Sequence, residues 1–515
     1  MKTTTGCCTS SGGNAPDEAR YDLAVIGAGS AGFSAAITAA EHGARVVLAG
    51  YGTIGGTCVN IGCVPSKALI RAAESIHQAN SANRFGGIKA SAGISDWSAL
   101  MARKTELVTQ LRQNKYEDLL PRYDKLTYLE GRAKPVDGGI ELNGRHIKAR
   151  KTIIATGSSP ALPSIPGIEN ISCLTSTSAL ALETLPKSMI VMGGGVIGCE
   201  LAQMFSRFGV KTTLICRSRL LPDQEPEISK ALQRYLADEG INVICGAAYL
   251  SICQAHEIRL TYELTGKQLK LSAEHLLAAT GRKPNLDGLD LDNLGIEYFR
   301  KSGNRFSNKK CGRNKELEPG FDSVKTGNAL EPNPFGGIFV DAHMQTTHKN
   351  IYAAGDVTGR DMFVYMAAYG AKIAARNAVC GKNQHYDSRA MPKVIFTDPQ
   401  VASVGLTEDR AKAQGFEVIT SSLPLDALPR ALAARDTRGL IKLVADARSN
   451  TLLGAHILAP EGADSIQCAA LAIRQKLGVE ELGDMIFPYL TNVEGLKLAA
   501  QGFSQDIAKL SCCAG

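Results

Sequence analysis

The chain has 515 residues, 44% hydrophobic and 21% charged, with a formal charge of +7. That is an ordinary globular composition with room for about three domains. The charge is local: residues 300–315 hold seven Lys/Arg and no Asp/Glu, and the rest of the chain is balanced, which excludes a nucleic-acid-binding field. No uncharged apolar run of about 18 residues occurs, so no transmembrane helix is expected. The amino terminus lacks the apolar centre of a signal peptide, and the expected compartment is the cytoplasm.

Residues 1–20 read as a flexible tail rich in Ser, Gly and Thr, with the vicinal pair Cys7-Cys8 as incidental thiols or as metal carriers. A buried strand is expected at Tyr21–Ile26, then Gly27-Ala28-Gly29-Ser30-Ala31-Gly32, an Ala-rich helix over 33–42 and a second strand over Arg45–Leu48. Gly27, Gly29 and Gly32 form G-x-G-x-x-G in a strand–turn–helix setting, where the backbone can approach a pyrophosphate at a helix N-terminus. The acidic residue that would hold a ribose at the end of the second strand is missing, and Gly50 stands there.

Next comes Gly55-Gly56-Thr57-Cys58-Val59-Asn60-Ile61-Gly62-Cys63-Val64-Pro65-Ser66-Lys67, followed by helical sequence to Glu74. Pro65 suits the first helical position, which would put Cys63 at the positive end of a helix and lower its pKa. Such thiols are redox-active or bind soft metals. A structural disulfide calls for an oxidising compartment, and a zinc site for more ligands than the chain groups together.

A second fingerprint follows. Met189–Met192 reads as a strand, Gly193, Gly195 and Gly198 as the turn, Cys199–Phe208 as a helix and Lys211–Ile215 as the next strand. That strand ends in Cys216-Arg217-Ser218-Arg219. With no carboxylate, and with Arg217 and Arg219 available to a 2′-phosphate, the expected dinucleotide is NADPH. Residues 300–335 read as a solvated surface insertion without a function. A last unit starts near Lys393, with strands over 440–445 and 451–458 and a helix over Gly462–Leu477. The chain closes on the adjacent thiols Cys512 and Cys513, which suit two-thiolate capture of a soft cation.

Two dinucleotide fingerprints with a cysteine pair directly after the first resemble the flavin-dependent pyridine nucleotide–disulfide oxidoreductases. Three further stretches agree: Ile154-Ala155-Thr156-Gly157-Ser158, Ala279-Thr280-Gly281-Arg282-Lys283-Pro284-Asn285 and Ile351-Tyr352-Ala353-Ala354-Gly355-Asp356. The resemblance implies an α/β protein with two Rossmann-like dinucleotide-binding domains, for FAD and NADPH, and a carboxyl-terminal α+β dimerisation domain. The implied bounds are a tail over 1–20, the FAD domain over 21–160 and 286–392, the NADPH domain over 161–285, and the dimerisation domain with its Cys-Cys tail over 393–515. Besides the glycine turns, the cofactor contacts implied are Gly52, Thr57, Lys67, Ala133, Thr156, Gly157, Gly281, Asp356 and Val364. Lys67 and Glu200 are implied to pair beside the flavin.

Members that act on organic disulfides carry a His-Pro-Thr motif and a following Glu as an acid–base pair. Here the stretch is Phe487-Pro488-Tyr489-Leu490-Thr491-Asn492-Val493-Glu494, with Tyr489 in place of the imidazole. That loss removes the donor a leaving thiolate needs. Together with the tail thiols it narrows the resemblance to the mercuric reductases. They imply a homodimer with a shared active site that reduces Hg(II), brought as thiol complexes, to volatile Hg(0) with NADPH. Cys512 and Cys513 would capture the ion, Cys58 and Cys63 would receive it, and Tyr489 would act during transfer. The other readings are a dihydrolipoamide-type disulfide reductase and a mercury-binding sink that does not turn over.

Overall fold

A computed structural model of the chain describes residues 21–302, 305–307 and 336–507. The fold begins with strand β1 (Tyr21–Ile26), helix α1 (Ser30–Glu41) and strand β2 (Val46–Gly50). Leu23, Ala24, Val25, Val46, Val47 and Leu48 are fully buried, as a parallel sheet covered on both faces requires. Helix α2 (Gly56–Ile61) and helix α3 (Cys63–Asn80) follow, and strand β3 (Leu126–Glu130) pairs in parallel with β2.

The first sheet runs β3, β2, β1, Arg145–Ile154, Gly139–Leu142, Ala133–Val136, the last two joined antiparallel. Strand Ile351–Ala353 adds in parallel to Arg145–Ile154, with Ile351 opposite Thr152 and Ala353 opposite Ile154. Two stretches separated by a complete second sheet therefore share one layer. Its core is closed by α1 packed on helix Val364–Cys380.

The second sheet is parallel, in the order Asn242–Ile244, Lys211–Ile215, Ser188–Met192, His275–Ala278, Cys173–Thr175. A three-stranded antiparallel meander over Ala248–Ala273 covers part of it. The third sheet is antiparallel and spans Lys393–Ala459, with helix Gly462–Gln475 packed on it. Its core strands Leu440–Asp446 and Leu452–Ala459 are almost continuously buried.

The expected elements are present with shifted ends. The largest revision is at the cysteine stretch: Pro65 is the third residue of α3, not the first, because α3 already starts at Cys63. The short helix α2, unforeseen in the sequence, precedes it after a left-handed turn at Gly55 and Gly56. The 300–335 insertion lies largely outside the described residues, as do Cys7, Cys8, Cys512 and Cys513. Among the described residues no helix is long and apolar enough to cross a membrane.

Candidate active site

The two glycine turns are built alike. Gly27 has φ +114°, and a Cβ there would stand 2.3 Å from the Ala155 carbonyl oxygen. A Cβ on Gly32 would stand 1.7 Å from the Gly27 oxygen. Gly193 and Gly198 repeat this against Ala279 and Gly193, at 2.4 and 1.8 Å. The outer glycines thus serve strand–helix packing. The middle ones do not: a Cβ on Gly29 would meet its nearest atom at 3.6 Å, and Gly195 has nothing within 4 Å. Both following helices, α1 and Val196–Arg207, lack a side-chain cap and an acidic residue in the first turn. Two helix N-termini with free N–H groups and open space before them fit the phosphates of two dinucleotides.

Beside the first turn, Gly52, Thr53, Ile54, Arg112, Tyr128 and Glu130 line a cavity of about 560 Å³. The missing acid at the end of β2 has a structural counterpart here. A Cβ on Gly50 would lie 2.6 Å from Ala28 Cβ and 2.9 Å from the Tyr128 ring and hydroxyl. Tyr128 therefore fills the place of the absent side chain. Glu130, register partner of Gly50, supplies a carboxylate one strand over. Neither residue was singled out in the sequence, because the pairing of β2 with β3 is not a local signal.

The cysteine stretch is pinned to this turn. Gly55 donates its N–H to the Ala28 oxygen at 2.9 Å, and a Cβ on Gly56 would stand 2.7 Å from Gly29 Cα. Only two glycines in succession allow the backbones to meet so closely. Cys58 then sits in α2 and Cys63 at the first residue of α3, both half-buried free thiols. Cys58 donates a hydrogen bond to Cys63 and holds its thiol down to about 7, aided by the Lys67 ammonium and opposed by burial and Glu200. The same bond, with burial, pushes Cys58 up. Of the two thiols, Cys63 is the one whose ionisation these groups favour.

Lys67, one turn along α3, places Nζ 2.7 Å from Oε2 of Glu200 on helix Val196–Arg207. Glu200 Oε1 accepts the Phe396 N–H at 2.9 Å, and Lys67 Nζ lies 4.9 Å from the Phe396 ring centroid. One ion pair thus ties the cysteine helix to the second glycine turn and to the third unit. On the other side, Ser158 Oγ donates to Asp356 Oδ2 at 2.6 Å, and Arg282 donates through Nε to Ser158 Oγ and through Nη2 to its carbonyl. Thr156 and Asn285 exchange two hydrogen bonds beside Gly157, and Ala161 donates to the Gly281 oxygen. Thr156, Gly157, Gly281 and Asp356 were legible in their motifs, whereas the Ser158–Arg282 link joins positions 124 apart and carries no local signal.

Burial chiefly, then the charges of Asp361 and Cys63, push the Tyr365 hydroxyl up. Its neighbour Val364 opens the helix that closes the core. Tyr116 is likewise pushed up by burial and by both cysteines, and bonds Ser30. Neither tyrosine was given a role in the sequence. Thr57 is exposed in the first turn of α2, and Ala133 starts the strand Ala133–Val136. Of the two arginines after Lys211–Ile215, Arg217 is exposed as expected, but Arg219 turns inward. It donates to Ser229 Oγ and to the carbonyls of Pro222 and Gln224, so its fork is engaged in holding the loop. Tyr489 is 55% exposed, near Ile486 at 99% and Leu490 at 43%. In a single chain this apolar stretch stands open.

The chain matches two family models: pyridine nucleotide-disulphide oxidoreductase over residues 21–313 and 321–372, and the dimerisation domain of the same family over residues 391–500. It belongs to the pyridine nucleotide-disulphide oxidoreductase family. Within that class it is similar to several mercuric reductases. It is 45% identical to that of Lysinibacillus sphaericus over 97% of this chain and 85% of the relative. It is 42% identical to that of Streptomyces lividans over 96% and 98%, and 44% to that of Staphylococcus aureus over 96% and 84%. Among solved structures it resembles the HOCl-induced flavoprotein disulfide reductase RclA from Escherichia coli in its Cu(II) complex. The TM-score is 0.76 at 28% identity, covering 94% of this chain and 99% of the other.

Proposed function

We propose that this protein is an NADPH-dependent mercury(II) reductase that converts Hg(II) to volatile Hg(0). The overall reaction balances as NADPH and Hg(II) giving NADP⁺, H⁺ and Hg(0). The observation that carries the reading is the Cys58–Cys63 dithiol, bound to the first glycine turn, in a chain whose acid–base histidine is replaced by Tyr489. Sequence identity to mercuric reductases over nearly the whole chain supports it.

FAD, bound at the first glycine turn, would supply the relay of an electron pair from NADPH to the Hg(II) held by the two thiolates. The residues assigned to hold it are Gly27, Gly29, Gly32, Gly52, Thr57, Lys67, Ala133, Thr156, Gly157, Asp356 and Val364. Those assigned to NADPH are Gly193, Gly195, Gly198, Gly281 and Arg217, with Arg219 shaping the loop from within. Cys63 enters as thiolate, and Cys58 gives up its proton as Hg(II) arrives. Two adjacent thiolates match a soft cation that favours two-sulfur coordination, and they discriminate against harder ions. Lys67 and Glu200 fix α3 against the second unit, so the dithiol and the nucleotide turn keep one geometry.

The chain forms a homodimer through its dimerisation domain, residues 393–515. Tyr489 and the apolar stretch around it face the partner subunit and complete a shared site. Cys512 and Cys513 lie outside the described residues; they collect Hg(II) from small-thiol complexes and pass it to Cys58 and Cys63 by stepwise thiol exchange. Work is in the cytoplasm, where thiols stay reduced.

The test is NADPH oxidation by the FAD-loaded dimer with excess small thiol, with and without Hg(II), beside lipoamide and glutathione disulfide. Oxidation that requires Hg(II), releases mercury vapour and is lost in Cys58→Ser and Cys63→Ser is expected. In the double variant Cys512→Ser/Cys513→Ser only turnover of thiol-complexed Hg(II) should fall. Turnover of either organic disulfide, or full activity in the Cys58 and Cys63 variants, would overturn the assignment.

A further inference from the structure

A second pair of thiols lies outside the site described above. Cys216 follows strand Lys211–Ile215 and Cys245 follows strand Asn242–Ile244, and their Sγ atoms stand 3.6 Å apart. The strands are parallel with Ile215 opposite Ile244, so the next residues on each face each other. Both backbones are anchored there: Cys216 donates to the Ile244 oxygen at 2.9 Å and accepts from Ala247 at 3.0 Å. Neighbouring strands lie about 4.7–4.9 Å apart, within the separation of about 4.4–6.8 Å that a disulfide spans. Cys216 is 4% exposed while Cys245 is half-buried, so Cys245 is the more accessible of the two.

The pair adjoins the second glycine turn. A Cβ on Gly194 would stand 2.9 Å from Cys216 Sγ, so this thiol fills the space behind the turn. Arg217, the exposed guanidinium assigned to the 2′-phosphate, is the next residue. Cys216 Sγ also faces the Ser218 oxygen at 2.9 Å, and its contact with Cys245 sets the two thiols apart, Cys245 held down and Cys216 pushed up. That divides nucleophile from resolving thiol as at a reactive dithiol.

We propose that Cys216 and Cys245 form a redox-responsive dithiol that closes to a disulfide and weakens NADPH binding at the adjacent turn. The oxidant is a small-molecule disulfide. Cys245 thiolate attacks one sulfur and expels the first small thiolate; Cys216 then attacks the Cys245 sulfur of the mixed disulfide and expels the second. Two protein S–H bonds become one S–S bond, two electrons pass to the oxidant, and two small thiols leave. Closure draws the Cys216 sulfur towards Cys245, out of its place behind Gly194, and re-aims Arg217. The binding consequence rests on the reading of 193–219 as the NADPH site; the chemistry of the pair does not.

The FAD-loaded dimer is incubated with 2-hydroxyethyl disulfide and desalted. NADPH is added to reopen Cys58–Cys63, free thiols are alkylated, and the non-reduced protein is mapped by peptide mass spectrometry. A Cys216–Cys245 cross-link is expected in the wild type and absent in Cys245→Ser. In parallel, the Kd for NADP⁺ should rise about fivefold or more on oxidation, the low end of a coupling between sites. It should recover with dithiol and stay constant in Cys245→Ser. Recovery of both cysteines alkylated overturns the dithiol, and a cross-link with unchanged Kd overturns its effect on binding. If the reduced protein binds no NADP⁺ at all, the nucleotide-site reading falls with that effect, and the cross-link still decides the dithiol.

Discussion

Lys67 Nζ and Glu200 Oε2 meet at 2.7 Å across two separate glycine-turn units. The pair acts on Cys63 in opposite senses: the ammonium lowers its pKa and the carboxylate raises it. Lys67→Met should therefore shift the thiolate titration of reduced Cys63 to higher pH, and Glu200→Gln should shift it to lower pH. Lys67→Met also leaves a carboxylate that is 4% exposed with only the Phe396 N–H. The expected stability loss is about 2 kcal/mol, below the range for fully buried pairs because Lys67 is a third exposed. Ultraviolet thiolate absorbance against pH and thermal denaturation check both. Shifts of the same sign would separate the ion pair from the thiol.

In the reduced enzyme, alkylation should be selective and pH-dependent. Cys63 ionises near 7, below the ordinary thiol value, so its thiolate is present above that pH and is lost as pH falls through it. Iodoacetamide should label Cys63 first, with a rate rising through about pH 7, and Cys58, whose thiol is pushed up chiefly by its link to Cys63, should react only once that partner is blocked. Peptide mapping of the labelled protein distinguishes this from equal labelling.

Restoring an acid at the end of β2 should harm the protein. Gly50→Glu brings a side chain into the Tyr128 ring and Ala28, an overpacking cost of about 1–3 kcal/mol. It should lower both Tm and flavin retention. The double variant Gly50→Glu/Tyr128→Ala should recover flavin retention, measured as bound FAD per chain after gel filtration. A single variant that retains flavin as the wild type does would sink the exchange of roles between positions 50 and 128.

Lys442 offers a test of stability away from the chemistry. Its ammonium, 3% exposed, lies 2.9, 3.0 and 2.8 Å from Glu225, Glu227 and Glu408. It occupies the centre of the three carboxylates. Lys442→Met would leave Glu225, 2% exposed, without its ammonium, while Glu408 keeps Lys412 and Glu227 turns to water, at a cost of about 3 kcal/mol. Glu408 is held down to about 2 from 4.5 by hydrogen bonds from Lys412 and Lys442. Its folded value is below the unfolded one, so its contribution is complete above about 4.5 and is lost as pH falls towards 2. Denaturant midpoints at neutral and acid pH measure both effects; an unchanged midpoint for the variant would refute them.

The glycine turns and the cysteine stretch were legible in the sequence because they are local: strand, turn and helix follow within about 30 residues, and spacing carries the geometry. Helix α3 began two residues earlier than expected because Gly62 makes the bend that Pro65 was thought to mark. What could not be read depends on register. Tyr128 meets Gly50 only through the alignment of β3 with β2, Arg282 reaches Ser158 across 124 positions, and Cys216 meets Cys245 across 29. Arg219 had the right type at the right place, yet two loop carbonyls and the Ser229 hydroxyl of the next helix compete for its fork. No spacing rule reports that.

Strand Ile351–Ala353 completes the first sheet by lying against Arg145–Ile154, after the whole second sheet has intervened. During synthesis the two stages are therefore separated in time. The second sheet has all its strands once Ala278 has emerged, whereas the first has an open edge at Thr152–Ile154 until Ala353 arrives. Non-local pairing of this kind is slow, and exposed strand edges invite association. The nascent chain carries a finished nucleotide unit beside an unfinished flavin unit, and flavin binding becomes a late event in assembly.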